Sequence, residues 1–100
     1  MNSLNCYVVS YDIREQKRLC RVRKAMLGFG EPVHYSVFIC HLSAMGRVEL
    51  IAALTDLIDA EKDRIMIIDM GPADGRVEER IIFLGVHEEK MEPGGKLIIV

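Results

Sequence analysis

Residue type and position together suggest chemistry most clearly at Tyr7-Val8-Val9-Ser10-Tyr11-Asp12-Ile13, an apolar run ending on a carboxylate. It is followed at once by Arg14-Glu15-Gln16-Lys17-Arg18-Leu19-Cys20-Arg21-Val22-Arg23-Lys24. A carboxylate is an oxygen ligand for a hard cation such as magnesium, and such a cation takes several oxygens. Glu15 apart, no second acid lies near Asp12 in the sequence. A two-fold axis beside the strand end would supply one, by bringing in the Asp12 of a second copy. Asp12 also has a purely structural reading. Asp12-Ile13-Arg14-Glu15 fits a capping box, with Asp12 as helix N-cap and Glu15 reaching back from the third helical position. A cap of this kind contributes on the order of 1 kcal/mol.

The segment after Asp12 holds six of the chain's thirteen basic residues, Arg14, Lys17, Arg18, Arg21, Arg23 and Lys24, against the single acid Glu15. Such a run either keeps a surface helix soluble or contacts phosphates, and phosphate contacts reveal themselves as salt-dependent binding. The formal net charge of -2 predicts no overall attraction to nucleic acid. The acids gather instead at Asp56 to Asp63 and Glu88 to Glu92.

Other reactive types form no obvious set. His34, His41 and His87 have no metal-ligand spacing, and each alone reads as a strand residue. Ser36 has no His-Asp pairing for nucleophilic catalysis. Gly71-Pro72-Ala73-Asp74-Gly75 lacks the lysine and the spacing of a phosphate loop. Cys6, Cys20 and Cys40 are odd in number and widely spaced, as expected of reduced, mostly buried thiols in a cytosolic protein. The six methionines are scattered and fit core filling. With no signal-peptide pattern and no apolar run approaching the ~18–20 residues of a membrane span, the expected location is the cytoplasm.

The elements that must position Asp12 follow from periodicity. One hundred residues, half of them apolar and 28% charged, suit a single globular domain. β-branched and aromatic residues predict a strand from Asn5 to Asp12, with Tyr7, Val9 and Tyr11 on one face and Val8, Ser10 and Asp12 on the other. Leu19, Val22 and Met26 give the apolar stripe of a helix from about Arg14 to Gly28. Val33 to Leu42 is apolar on both faces, which predicts a strand buried on two sides or a kinked pair. Ser43 is placed to cap a helix over about Met45 to Ala60, whose stripe is Leu50, Ile51, Leu54, Leu57 and Ile58. After the polar connector Asp59 to Asp63, a strand is expected over Arg64 to Met70, then a turn at Gly71 to Gly75. Arg80 to His87 reads as a further strand, Glu88 to Gly95 as a solvated loop, and Lys96 to Val100 as an apolar strand that needs an edge to receive it.

This order predicts an α+β, ferredoxin-like βαββαβ sandwich with extra C-terminal strands, residues 76–100 forming that extension of one domain, 1–100. Helices cover one face of such a sheet. A second copy is the simplest cover for the other, so the expected state is a homodimer through the sheets.

Tyr7 to Ile13, the Arg21-Val22 step, Gly30 and above all Val33-His34-Tyr35-Ser36-Val37-Phe38 resemble the CRISPR-associated protein two (Cas-two) family over about residues 5 to 70. The resemblance implies a ferredoxin-like homodimer that works in spacer acquisition. There it partners the integrase called CRISPR-associated protein one and bridges its subunits. It also implies a metal-dependent endonuclease on single-stranded RNA or double-stranded DNA. By this likeness paired Asp12 residues hold Mg²⁺ between protomers, and Tyr11, Arg21 and Phe38 belong to the surrounding site; the clustered charge itself makes Arg14, Lys17, Arg18, Arg21 and Lys24 the expected contacts to the nucleic-acid backbone. The last strand becomes a docking element for the integrase. The sequence departs from the family at Pro32, where Arg is common, and at His34, where Gln is common; an Arg expected early in the first helix is displaced, with Arg18 in its place. Losing Arg at position 32 removes a planar, bidentate phosphate donor. Two other functions fit the same fold: a toxin-type ribonuclease of the virulence-associated family, and a non-enzymatic ligand-binding regulatory module.

Overall fold

Strand β1, Asn5–Asp12, runs through the middle of an antiparallel sheet ordered β2-β3-β1-β4. The structure is a computed structural model and describes residues 3–85. Around β1 lie α1 (Gln16–Leu27), β2 (Glu31–His34), β3 (Val37–Leu42), α2 (Ala44–Leu57), β4 (Arg64–Pro72) and a one-turn helix α3 (Arg76–Glu79). This is the ferredoxin-like α+β arrangement expected from the order of elements. Val33 to Leu42 is the kinked pair: β2 and β3 form a hairpin around Tyr35-Ser36, with His34 opposite Val37.

The alternation along β1 divides the sheet into two faces. Tyr7, Val9 and Tyr11 point to the helices and form the main core with Val22 and Met26 of α1, Phe38 and Cys40 of β3, and Leu50 and Leu54 of α2. Ser43 caps α2, its Oγ accepting the Gly46 N–H at 3.0 Å. Helix α2 ends three residues earlier than expected, because Ile58 turns extended to pack on this core. Ile51, expected in the α2 stripe, is instead 43% exposed on its flank.

Close approach explains Gly30. A Cβ there would fall inside contact distance of the Ile39 carbonyl and the Cys40 sulfur, so only glycine lets the chain leaving α1 lie against β3.

Val8, Ser10 and Asp12 face away from the two long helices, beside Ile68, Met66 and Arg64 of β4. A second, smaller core covers one end of this face, where Cys6 and Ile39 bury Val77 of α3, with Val8, Val33, Met70, Ala73 and Ile81 packed around them. No other described element covers the rest: Met66 is 52% exposed and Ile68 40%.

Two expectations change here. Residues 76–79 are helical, and no strand forms over the described part of Arg80 to His87, residues 80–85. Gly75, at φ 91°, starts that helix in a conformation that disfavours other residues, and Val77 gives it its anchor. Cys20 is exposed, whereas Cys6 and Cys40 are buried; burial pushes the Cys40 thiol up to about 11. His87, the loop Glu88 to Gly95 and the strand expected over Lys96 to Val100 lie outside the described residues. Among the described residues no helix is long and apolar enough to cross a membrane.

Candidate functional site

Asp12 is exposed at the last position of β1, opposite Arg64 in the β1–β4 ladder. It does not cap α1. The helix begins at Gln16, and its N-cap is Glu15, in extended conformation, whose carboxylate accepts the N–H groups of Arg18 at 2.9 Å and Lys17 at 3.1 Å. Those bonds hold the Glu15 carboxyl below its usual range. The capping box therefore fails in register: Glu15 performs the task assigned to Asp12. Among the described residues no hydrogen bond or ion pair engages the Asp12 side chain.

What fixes the turn after Asp12 is a residue that the spacing had assigned to a polar connector. Asp63 immediately precedes β4, and because Asp12 pairs with Arg64, antiparallel geometry sets Asp63 beside the residues that follow Asp12. Its two oxygens accept the Arg14 N–H at 2.9 Å, the Asp59 N–H at 2.8 Å, and Arg18 Nε and Nη2 at 2.8 and 3.1 Å. The bidentate Arg18 guanidinium, then the backbone donors, hold the Asp63 carboxyl far below the usual carboxylate range.

Thus Arg18 has its planar fork turned to Asp63, the side chain only 20% exposed. Arg23, outside the expected site, lies 5.8 Å over the Phe38 ring and donates from Nη1 to the Tyr35 carbonyl at 3.3 Å. The buried Tyr11 donates its hydroxyl to the same carbonyl at 3.2 Å, and its ring sits 6.2 Å from that of Phe38. The Tyr11 N–H donates to the Ser36 carbonyl at 3.0 Å. Tyr11 and Phe38 therefore come together, and they moor the β2–β3 hairpin tip to the Asp12 end of β1. That tip exposes Tyr35, which is 68% accessible and 6.2 Å ring to ring from His34.

Lys17, Arg21 and Lys24 remain exposed, and their spacing of four and three residues aligns them along one stripe of α1. Arg14 is exposed just ahead of the helix, its backbone bound by Asp63. The six-charge run is thus divided between an ion pair, a cation–π contact and a cationic surface. Pro32 lies opposite Phe38 in β2, an edge strand of the described sheet, where proline is tolerated.

The family model described as "CRISPR associated protein Cas2" matches residues 5–76. The chain is 38% identical over 97 residues to the CRISPR-associated endoribonuclease Cas2 1 of Rhodospirillum rubrum, covering 97% of this chain and 94% of that one. It is 38% identical over 79 residues to the CRISPR-associated endoribonuclease Cas2 of Geobacter sulfurreducens, covering 79% and 82%. The crystal structure of Streptococcus pyogenes Cas2 at pH 6.5 superposes with a TM-score of 0.72 at 29% identity, over 80% of this chain and 99% of that one. By sequence and by fold, this chain belongs to the CRISPR-associated protein Cas2 family.

Proposed function

We propose that the chain acts in CRISPR adaptation as a homodimer that binds nucleic-acid backbones, bridges integrase subunits and hydrolyses phosphodiesters with a divalent cation at paired Asp12 residues. The observation that carries this reading is the state of Asp12: exposed, without a hydrogen-bonding or ionic partner among the described residues, at the open end of a sheet face. A carboxylate held this way suits a hard cation. Among the described residues no group of three such donors includes Asp12; in this reading a second copy and water supply the remaining oxygens. When bound, magnesium would supply a Lewis acid for the phosphate and lower the pKa of attacking water.

The protein's own part is positioning. Asp63 fixes the turn behind Asp12, and the Tyr11–Tyr35–Arg23 contacts set the hairpin beside it. Arg14, Lys17, Arg21 and Lys24 offer sequence-independent contacts to phosphates, and Arg18 reaches them only by leaving Asp63. Exposed Tyr35 offers a flat surface for an unpaired base.

The test is Asp12→Asn, assayed for cleavage of single-stranded RNA and double-stranded DNA across a magnesium titration. The expected result is loss of cleavage with an intact dimer. Undiminished metal-dependent cleavage would remove Asp12 from the mechanism. Pro32 favours a second reading, in which the dimer binds and bridges without cutting, since a bidentate phosphate donor is missing at that position. In that case wild type shows no magnesium-dependent cleavage, while spacer acquisition still requires the protein.

A further inference from the structure

Cys6, His41 and Glu78 come from three different elements, β1, β3 and α3, and meet over the small second core. Cys6 and His41 are directly opposite one another in the β1–β3 ladder, so their side chains leave the sheet on the same face. Helix α3 lays Glu78 across them. The His41 Nε2 and a Glu78 oxygen are 2.9 Å apart, and the sulfur, nitrogen and carboxylate oxygen all lie within 4.8 Å of one another. Among the described residues this is the single group of three or more such donors. The sulfur lies in the core beneath, while His41 and Glu78 are each 43% exposed above it.

We propose that these three side chains form a binding site for a transition-metal dication of the zinc type, which staples α3 to the sheet. The donor set selects the metal. A thiolate and an imidazole suit zinc and its neighbours, whereas magnesium and calcium take oxygen alone. Bonds of about 2.0–2.3 Å in a tetrahedron set donor-to-donor edges of about 3.3–3.8 Å. The site therefore closes by small rotations of His41 and Glu78, both free to move at the surface. On binding, the Cys6 thiol proton passes to solvent as the sulfur–metal bond forms; the proton shared by His41 Nε2 and Glu78 moves to Nδ1 of a neutral ring, or to solvent from an imidazolium, freeing both atoms to bind the metal, and water takes the fourth position.

Two features explain what the metal would do. Helix α3 is a single turn anchored by one fully buried side chain, Val77, which is little to hold a segment in place. A metal linking it to both central strands couples its docking to metal availability. The site is also separate from Asp12. Cys6 and Asp12 share a face of β1 but stand six residues apart, about 20 Å along the strand.

The experiment uses full-length protein freed of metal by chelator and titrated with Zn²⁺ alone, then with Co²⁺ as an absorbing probe. The expected result is one equivalent per chain, a raised melting temperature and a thiolate-to-cobalt charge-transfer band. Cys6→Ser should abolish the band. His41→Gln and Glu78→Gln should each weaken zinc at least about 10–100-fold, the scale for removing even a group that only orients a ligand. Cys20→Ser should bind as wild type, and Asp12→Asn should keep the thiolate-to-cobalt band. Because His41 and Glu78 are exposed, their variants keep the test valid if Cys6→Ser fails to fold. Absence of a stoichiometric site, undiminished binding in His41→Gln, or loss of binding in Cys20→Ser would overturn the proposal.

Discussion

The Arg18–Asp63 pair ties the segment after Asp12 to the strand that runs beside it, and its electrostatics set a pH dependence. The folded Asp63 pKa is depressed below the unfolded value of about 3.9. The pair's stabilisation is therefore fully present above that value and is lost as pH falls toward the folded one. We expect stability to begin to decline below about pH 5 and to continue falling through the acid range, with Asp63→Asn lowering the plateau and flattening that limb. Thermal melts of both proteins from neutral to acid pH check this; parallel curves would show that Asp63 contributes no acid sensitivity. Sequence spacing picked out Asp12 but not Asp63, although the signal existed in the topology. Once Asp12 ends one strand and Arg64 begins its antiparallel neighbour, the residue before Arg64 must stand beside the residue after Asp12. Arg23 had no such signal. Its contact with Phe38 and Tyr35 depends on where the hairpin tip lands, which local periodicity does not encode.

At the scale of elements, α1 divides its cations by face. Removing charge from the exposed stripe with Lys17→Gln, Arg21→Gln and Lys24→Gln should weaken nucleic-acid binding uniformly across sequences and leave folding intact. The slope of log K against log salt should fall by about 0.7–0.9 for each phosphate that is no longer neutralised. An unchanged slope would make the stripe a solvated surface only. Gly30→Ala tests the seam between α1 and β3: overpacking there should cost about 1–3 kcal/mol in a denaturant titration, through movement of backbone that cannot yield cheaply. Strand β1 and the two long helices were legible because each has a clear period and a recognisable stop, Gly28-Phe29-Gly30 and Ser43 among them, whereas Val33 to Leu42, apolar on both faces, left a single strand and a kinked pair both open. Helix α3 was not legible. A single turn has too few residues to show a period, and Val77 becomes an apolar anchor only because Cys6 and Ile39 lie beneath it.

At the scale of the molecule, helices seal one sheet face, whereas the described residues leave the other half bare. Met66 and Ile68 on the bare half lie alongside Ser10 and Val8 of β1, and the same face carries Asp12. If a second copy covers it, placing charge there should prevent association while leaving the main core untouched. We expect Met66→Glu combined with Ile68→Glu to sediment as a folded monomer, and to lose the magnesium-dependent cleavage that Asp12→Asn also loses. A dimer that survives both substitutions would locate the interface elsewhere.

The central position of β1 also shapes how the chain must be assembled. Tyr7 finds its partners in Cys40 on one side and Asp69 on the other, so the strand made first can form no ladder until residues far downstream have been synthesised. Its closure depends on long loops rather than on neighbouring turns, a topology associated with slower folding. Until β3 arrives, the nascent segment Tyr7-Val8-Val9 presents an unpaired, apolar strand, and the Asp12 end has no geometry at all. The strand that organises the finished protein is made first among the described strands, yet completes its bonds only when β4 docks on it.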